Sequence, residues 1–190
     1  GQPAAVHGLG YLLNSALGNV GETLSFGPHG GVAGAGSIKE LATALSGGSV
    51  TTLVMLGGNP VYNAPADLGF TELLAKATTS IHLSDRLDET SSASTWHVPL
   101  AHYLESWGDL VSSDGSVAIQ QPLIAPLYGA VSAIELLAHL TGAATQSGRD
   151  LVAETWKSSG GANFEQSWRT WLHDGLVNVV TEAPAAMVAP

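Results

Sequence analysis

The segment Gly57-Gly58-Asn59-Pro60 follows the apolar run Leu53-Val54-Met55-Leu56 and is the first place where this chain could hold a ligand. Glycines after a strand let the backbone come close to a bound group, and the N-terminus of a following helix favours an anion. Asn59 adds an amide donor. Asp85, after the next strand pattern, could accept from a ribose hydroxyl or a guanine edge. The same four loop residues also make an ordinary turn. They form neither G-x-G-x-x-G nor a P-loop, because the Lys that reaches a phosphate is missing. His97, His102 and Glu105 raise a metal reading, with His102 and Glu105 spaced i, i+3. His97, however, stands in opposite phase to Trp96 and Val98 on a predicted strand. The default for these three is therefore a cap, a loop clamp or a surface position. Asp85, Asp88 and Glu89 lack the spacing of a calcium loop. Asp88-Glu89 before Thr90 reads instead as the acidic first turn of a helix. No serine lies in a G-x-S-x-G elbow.

The elements that would position these residues follow from apolar spacing. Leu9, Leu12, Leu13 and Leu17 predict a helix after Pro3, closed by Gly18. Gly27 to Gly36 reads as an irregular loop, and Ile38 to Leu45 as a short amphipathic helix ended by Gly47-Gly48. Leu53 to Leu56 predicts a strand buried on both faces. Phe70, Leu73, Leu74 and Ala77 give a helix. Ile81 and Leu83 give a half-buried strand, and Trp96, Val98 and Leu100 a third. Strand, helix and strand make a βαβ unit. Residues 108–129, rich in Gly, Ser, Pro and Gln, read as one long loop. Ser132 and Glu135 form a capping box for a helix ending at Gly142, and a further helix covers Asp150 to Lys157. Asn163 caps a last helix whose Phe164, Trp168, Trp171 and Leu172 share a core-facing stripe. Asp174-Gly175 ends it, and Leu176 to Val180 follows as a closing strand. The expected fold class is α/β: a doubly wound, mostly parallel sheet with helices on both faces. In such sheets ligands bind beyond the carboxyl ends of the strands, where the Gly57 and Asp85 loops fall. Residues 1–180 read as one domain and 181–190 as a flexible tail.

Composition narrows the function classes. The chain has 190 residues, 6 basic and 16 acidic side chains, a formal charge of -10 and no cysteine. Nucleic-acid binding needs a basic stripe, and docking on an anionic membrane needs basic residues too. Without cysteine there is no disulfide, thiolate zinc site, iron–sulfur ligand or cysteine nucleophile in this segment. Charged residues are only 12% of the chain, about half the usual ~25%, so much of the surface is neutral. No apolar run approaches the roughly 18 residues of a membrane span. The abrupt Gly1-Gln2-Pro3 start and the Ala- and Pro-rich end read as those of a fragment.

Between Leu53 and Tyr128 the order of features resembles the third domain of the molybdopterin oxidoreductases, the dimethyl-sulfoxide-reductase superfamily. The matching pieces are Gly57-Gly58-Asn59-Pro60, Asp85 with Leu87-Asp88-Glu89-Thr90, Val98-Pro99-Leu100, Glu105-Ser106-Trp107-Gly108, and Gly115 to Gln120. Gln2 to His7, Leu13 to Gly21, His102 to Asp109, Gln121 to Tyr128 and Phe164 to Gly175 are similar to one branch. That branch is the molybdopterin-oxidoreductase-like iron–sulfur B subunit of bacterial alternative complex III, a quinol-oxidising respiratory complex. The resemblance implies an internal piece of a longer subunit with iron–sulfur clusters elsewhere in the parent chain. It also implies twin-arginine export to the periplasmic side of the inner membrane. Expected partners are the sister subunits and the iron–sulfur part of its own chain, with no nucleic acid and no direct membrane insertion. In active relatives this domain helps to hold molybdopterin guanine dinucleotide; in this branch it is empty of cofactor. Gly57, Gly58, Asn59, Pro60, Asp85 and Gln120 are then a vestigial nucleotide site, with no catalytic or metal residue. The family's G-R-x-Q arginine is replaced within Gly115 to Gln120, and few basic residues could meet a diphosphate. The alternatives are a domain of an active molybdenum oxidoreductase, with Gly58, Asn59 and Asp85 on the dinucleotide, and an unrelated nucleotide-binding protein.

Overall fold

The structure, a computed structural model, describes residues 3–24, 36–112 and 115–177. The Gly27 to Gly36 loop, save Gly36 itself, the strand end beyond Val177 and the 181–190 tail lie outside the described residues.

The fold is mixed α/β. Strands β1 (Thr52–Leu56), β2 (Thr79–Ser84) and β3 (Trp96–Pro99) form a parallel sheet in the order β1-β2-β3. Val54 lies opposite Ile81, and Ile81 opposite Trp96. Helices α3 (Pro60–Asn63) and α4 (Phe70–Leu74) connect β1 to β2, and α5 (Glu89–Ala93) connects β2 to β3. This is the expected strand–helix–strand alternation. A doubly wound sheet also reverses its strand order, and these three strands run in sequence order without a reversal. Val131 extends the sheet past β3: Ala101 N–H donates to the Val131 carbonyl at 2.9 Å, and Val131 N–H to the Pro99 carbonyl at 3.0 Å.

The burial of the strands differs from the expectation because of that order. β1 is an edge strand, so its Leu56 is 46% exposed and only Met55 is buried. β2 is central, so it is not half-buried: Ser80, His82, Leu83 and Ser84 are all buried.

Residues 108–129 are not one loop. They contain β4 (Gly108–Val111) and β5 (Val117–Gln120), which pair antiparallel, and β5 pairs in turn with β6 (Leu176–Val177). Each strand is too short for its alternation to stand out among Gly and Ser. In β5, Val117 and Ile119 nonetheless alternate inward.

The remaining helices follow the sequence signals closely. Helix α1 (Ala4–Ala16) is followed by Gly18 at φ 71, but none of its residues is buried. Helix α2 (Ile38–Ser46) starts at a Ser37–Glu40 capping box. Helix α6 (Ala133–Thr141) has the Ser132–Glu135 box and ends at left-handed Gly142. Helix α7 (Gly148–Trp156) begins two residues earlier than Asp150. Helix α8 (Phe164–Asp174) ends at left-handed Gly175; Asn163 occupies its N-cap position without a capping side-chain bond.

Two apolar clusters carry the packing. Leu45, Met55, Phe70, Leu74 and Ala77 form one under the parallel sheet. Val117, Ile119, Val152, Trp168, Trp171 and Val177 form the other around the second sheet. The Trp168/Trp171 stripe is thus core, with Phe164 stacked on Trp168 at 5.9 Å. No helix among the described residues is long and apolar enough to cross a membrane.

Candidate functional site

The loop after β1 is built by backbone conformation first. Gly57 and Gly58 have φ of 77 and 74, and an added Cβ would meet nothing within 4 Å at either. Glycine is needed there for the left-handed turn, and no atom of the chain itself crowds either position. Gly57 N–H donates to the Leu83 carbonyl at 2.8 Å and continues the sheet. Pro60 opens α3, where its missing N–H costs nothing.

Asn59 then locks this loop to α5. Its Oδ1 accepts from Thr90 Oγ1 at 2.7 Å and from Thr90 N–H at 3.2 Å, and its Nδ2 donates to Glu89 Oε2 at 2.7 Å. Thr90 Oγ1 also accepts from Val61 N–H at 3.0 Å. The Asn59 amide bonds one carboxylate oxygen of Glu89 and holds that carboxyl below its ordinary range.

Beneath the loop lies a buried polar layer. His82 is fully buried, and its Nε2 sits 2.9 Å from the Gly58 carbonyl. A carbonyl only accepts, so Nε2 carries the hydrogen and donates. His82 Nδ1 is 2.9 Å from Ser91 Oγ, and His97 Nδ1 is 3.0 Å from the same oxygen. The Ser91 hydroxyl also donates to the Arg86 carbonyl at 3.3 Å, so this one oxygen joins β2, β3 and the turn before α5. Asp88 accepts from Ser91 N–H at 2.8 Å and caps α5; it also lies 3.5 Å from His82 Nδ1. Burial alone would raise the Asp88 pKa, but the Ser91 N–H and hydroxyl, His82 and the Ser84 hydroxyl hold it below its ordinary value.

This serine, histidine and aspartate do not form a proton relay to a nucleophile. A relay needs the acid and the hydroxyl on opposite ring nitrogens. Here both face Nδ1 of His82, Nε2 is held by the Gly58 carbonyl, and Ser91 is buried. The arrangement positions the loop.

The other sequence-selected residues separate from this network. Asp85 faces solvent at the end of β2 and forms a forked ion pair with Arg86, at 3.1 and 3.0 Å. The Arg86 guanidinium holds its carboxyl below the ordinary value. Gln120 lies on β5, where its Nε2 donates to the Ser106 carbonyl at 3.0 Å. It belongs to the second sheet rather than to the Asn59 loop. His102 and Glu105 cap a 3-10 turn at Tyr103–Glu105, while His97 turns to Ser91. No group of three or more metal-ligating side chains converges among the described residues.

His82, Thr90, Ser91 and His97 were not singled out by the sequence as partners of this loop. Ser80, His82 and Ser84 alternate along β2 and read as its solvent side. All three are buried, with Ser80 bonded to Thr95 and His82 to Ser91. The usable signal was the small, hydroxyl-rich run Thr90-Ser91-Ser92, which suits a helix packed against a polar strand face.

Beside the loop, Val61, Arg86, Leu87 and Glu89 border an open depression of about 680 Å³. No protein-family model matches the chain, and no curated protein matches it.

Proposed function

We propose that this chain is a non-catalytic scaffold domain that works by assembling with other protein. In its fuller form, from the resemblance, it is the cofactor-less molybdopterin-oxidoreductase-like domain of a periplasmic, quinol-oxidising electron-transfer subunit. The observation that supports the scaffold reading is the saturation of the strand-end loop by the chain's own bonds. Asn59 is taken by Thr90 and Glu89, the Gly58 carbonyl by His82, and Asp85 by Arg86. A guanine nucleotide would have to break these contacts and meet a rim where, among the described residues, Arg86 is the one cation beside Asp88 and Glu89.

The second reading, a domain contributing to molybdopterin guanine dinucleotide binding, is favoured by the depression of about 680 Å³ next to the loop. Metal and pterin analysis of the purified parent protein, with a guanine nucleotide titration of this chain, separates the two. A ligand at 100 times its dissociation constant stabilises by about 2.7 kcal/mol. The scaffold reading expects no molybdenum or tungsten and no shift in melting temperature at millimolar nucleotide. Stoichiometric metal or a clear shift would overturn it.

A further inference from the structure

The segment between β5 and α6 exposes apolar side chains and is bonded at its start to Leu104. Leu123, Ile124, Leu127 and Tyr128 are 76, 52, 51 and 93% exposed. Leu123 and Ile124 N–H donate to the Leu104 carbonyl at 2.7 and 3.3 Å, and Ala130 N–H to the Leu127 carbonyl at 3.1 Å. Tyr128 has φ 58, the only positive value outside glycine among the described residues. A bulky residue in that region is strained, and such strain persists where the surroundings impose it. In that conformation the ring stands out in solvent.

This ridge continues into a groove of about 370 Å³ walled by Trp107, Pro122, Leu123 and Ile124, with Glu105 and Glu135 in its lining. Neither carboxylate has a cationic partner among the described residues. Glu105 accepts from His102 N–H, and Glu135 from Ser132 and from Gly148 N–H. The imbalance extends along the sequence. Between Arg86 and Arg149 there are six carboxylates and no Lys or Arg.

We propose that the groove and the ridge ending at Tyr128 dock a segment of another protein in which an Arg or Lys stands among apolar residues. This rests on the assembly reading above and gives it a surface and a partner chemistry. A basic side chain would complement Glu105 and Glu135; an arginine could also lie over the Trp107 ring. Its apolar neighbours would cover Leu123, Ile124 and Tyr128, the ring being the kind of rigid aromatic anchor that dominates interfaces. Charge argues against a second copy as the occupant, because each copy carries -10 and only 6 basic residues.

The test is fluorescence anisotropy of the full chain with a short labelled peptide alternating Leu and Arg, and with its Leu/Glu counterpart. The Leu/Arg peptide is expected to bind and the Leu/Glu peptide not. Tyr128→Gly suits the left-handed backbone, so it removes the ring without threatening the fold. It, Leu123→Ser and Glu105→Lys should each weaken binding about tenfold, the loss typical of a removed interface anchor. Glu22→Lys, a charge change elsewhere on the chain, should leave it within a factor of about two. Equal loss from Glu22→Lys and Glu105→Lys, or no effect of the Tyr128 and Leu123 changes, would mean diffuse attraction to an acidic protein and overturn the site. Peptide binding by a parent protein that carries molybdenum would sink the cofactor-less reading and keep the groove. A metal-free parent with no peptide binding would do the reverse.

Discussion

Asn59 places every polar atom of its amide on α5, so its loss should be felt as stability rather than as ligand affinity. Asn59→Ala removes the acceptor of Thr90 and the donor to Glu89. With Thr90 fully buried, the expected cost is about 1–3 kcal/mol in urea unfolding. An unchanged midpoint would mean that the amide is free for something else. Asp88 gives a second outcome at this scale. Its folded pKa lies below the ordinary value, against the pull of burial, because the Ser91 N–H and its neighbours favour the carboxylate. Such a group stabilises above its unfolded pKa of about 4 and loses that contribution as pH falls through the lower folded value. The stability gap between wild type and Asp88→Asn should therefore narrow as pH falls below about 5. A gap that is constant with pH would show that the carboxylate charge plays no part. The loop glycines, Asn59 and the acidic first turn of α5 were legible as types in the sequence. Their mutual bonding was not, because it runs through His82, Thr90 and Ser91, residues that look like solvent-facing polar positions until the strand order buries them.

At the scale of elements, the caps were the most readable feature, since a capping box is a local exchange of bonds needing no tertiary information. Ser132 and Glu135 make that exchange at 2.7, 2.9 and 3.3 Å. Glu135 has a second task that the local pattern does not contain: its other oxygen accepts from Gly148 N–H at 3.1 Å, at the start of α7. Ser132→Ala should cost about 1 kcal/mol through the lost cap. Glu135→Ala should cost more, because it also leaves the N–H of buried Gly148, at the start of α7, without its acceptor. Thermal unfolding of both variants checks the order; equal costs would mean that the α6–α7 link contributes nothing. The β4–β5 pair was illegible for the opposite reason. Its strands have four residues each, and the second partner of β5, β6, lies far along the chain. The edge position of β1 was likewise hidden, because an apolar run records burial tendency and not strand order.

At the scale of the whole molecule, the sequence carried the α/β class through the alternation of Leu53–Leu56, Phe70–Leu74 and Ile81–Leu83, but not the division of the packing into two clusters. One cluster sits on the parallel sheet around Leu45 and Leu74, the other on the antiparallel sheet around Trp168 and Trp171. A single apolar pattern along the chain cannot distinguish one core from two. The two are joined by a short path: β3 bonds to Val131, Val131 leads into α6, and Glu135 of α6 reaches α7 in the second cluster. Backbone pairing at Val131 and the bond from Gly148 N–H to Glu135 connect the two clusters, so the clusters should unfold as one cooperative unit. Leu74→Ala should cost about 2–5 kcal/mol and Trp168→Ala about 3–5 kcal/mol, and each should move the same single transition. The measurement is urea unfolding followed both by tryptophan fluorescence, which reports mainly the Trp168 cluster, and by far-ultraviolet circular dichroism, which reports the whole chain. Coincident curves in the wild type and both variants are the expected result. If Leu74→Ala shifted the dichroism while leaving the fluorescence transition in place, the path through Val131 and Glu135 would not couple the clusters, and the chain would be two folding units.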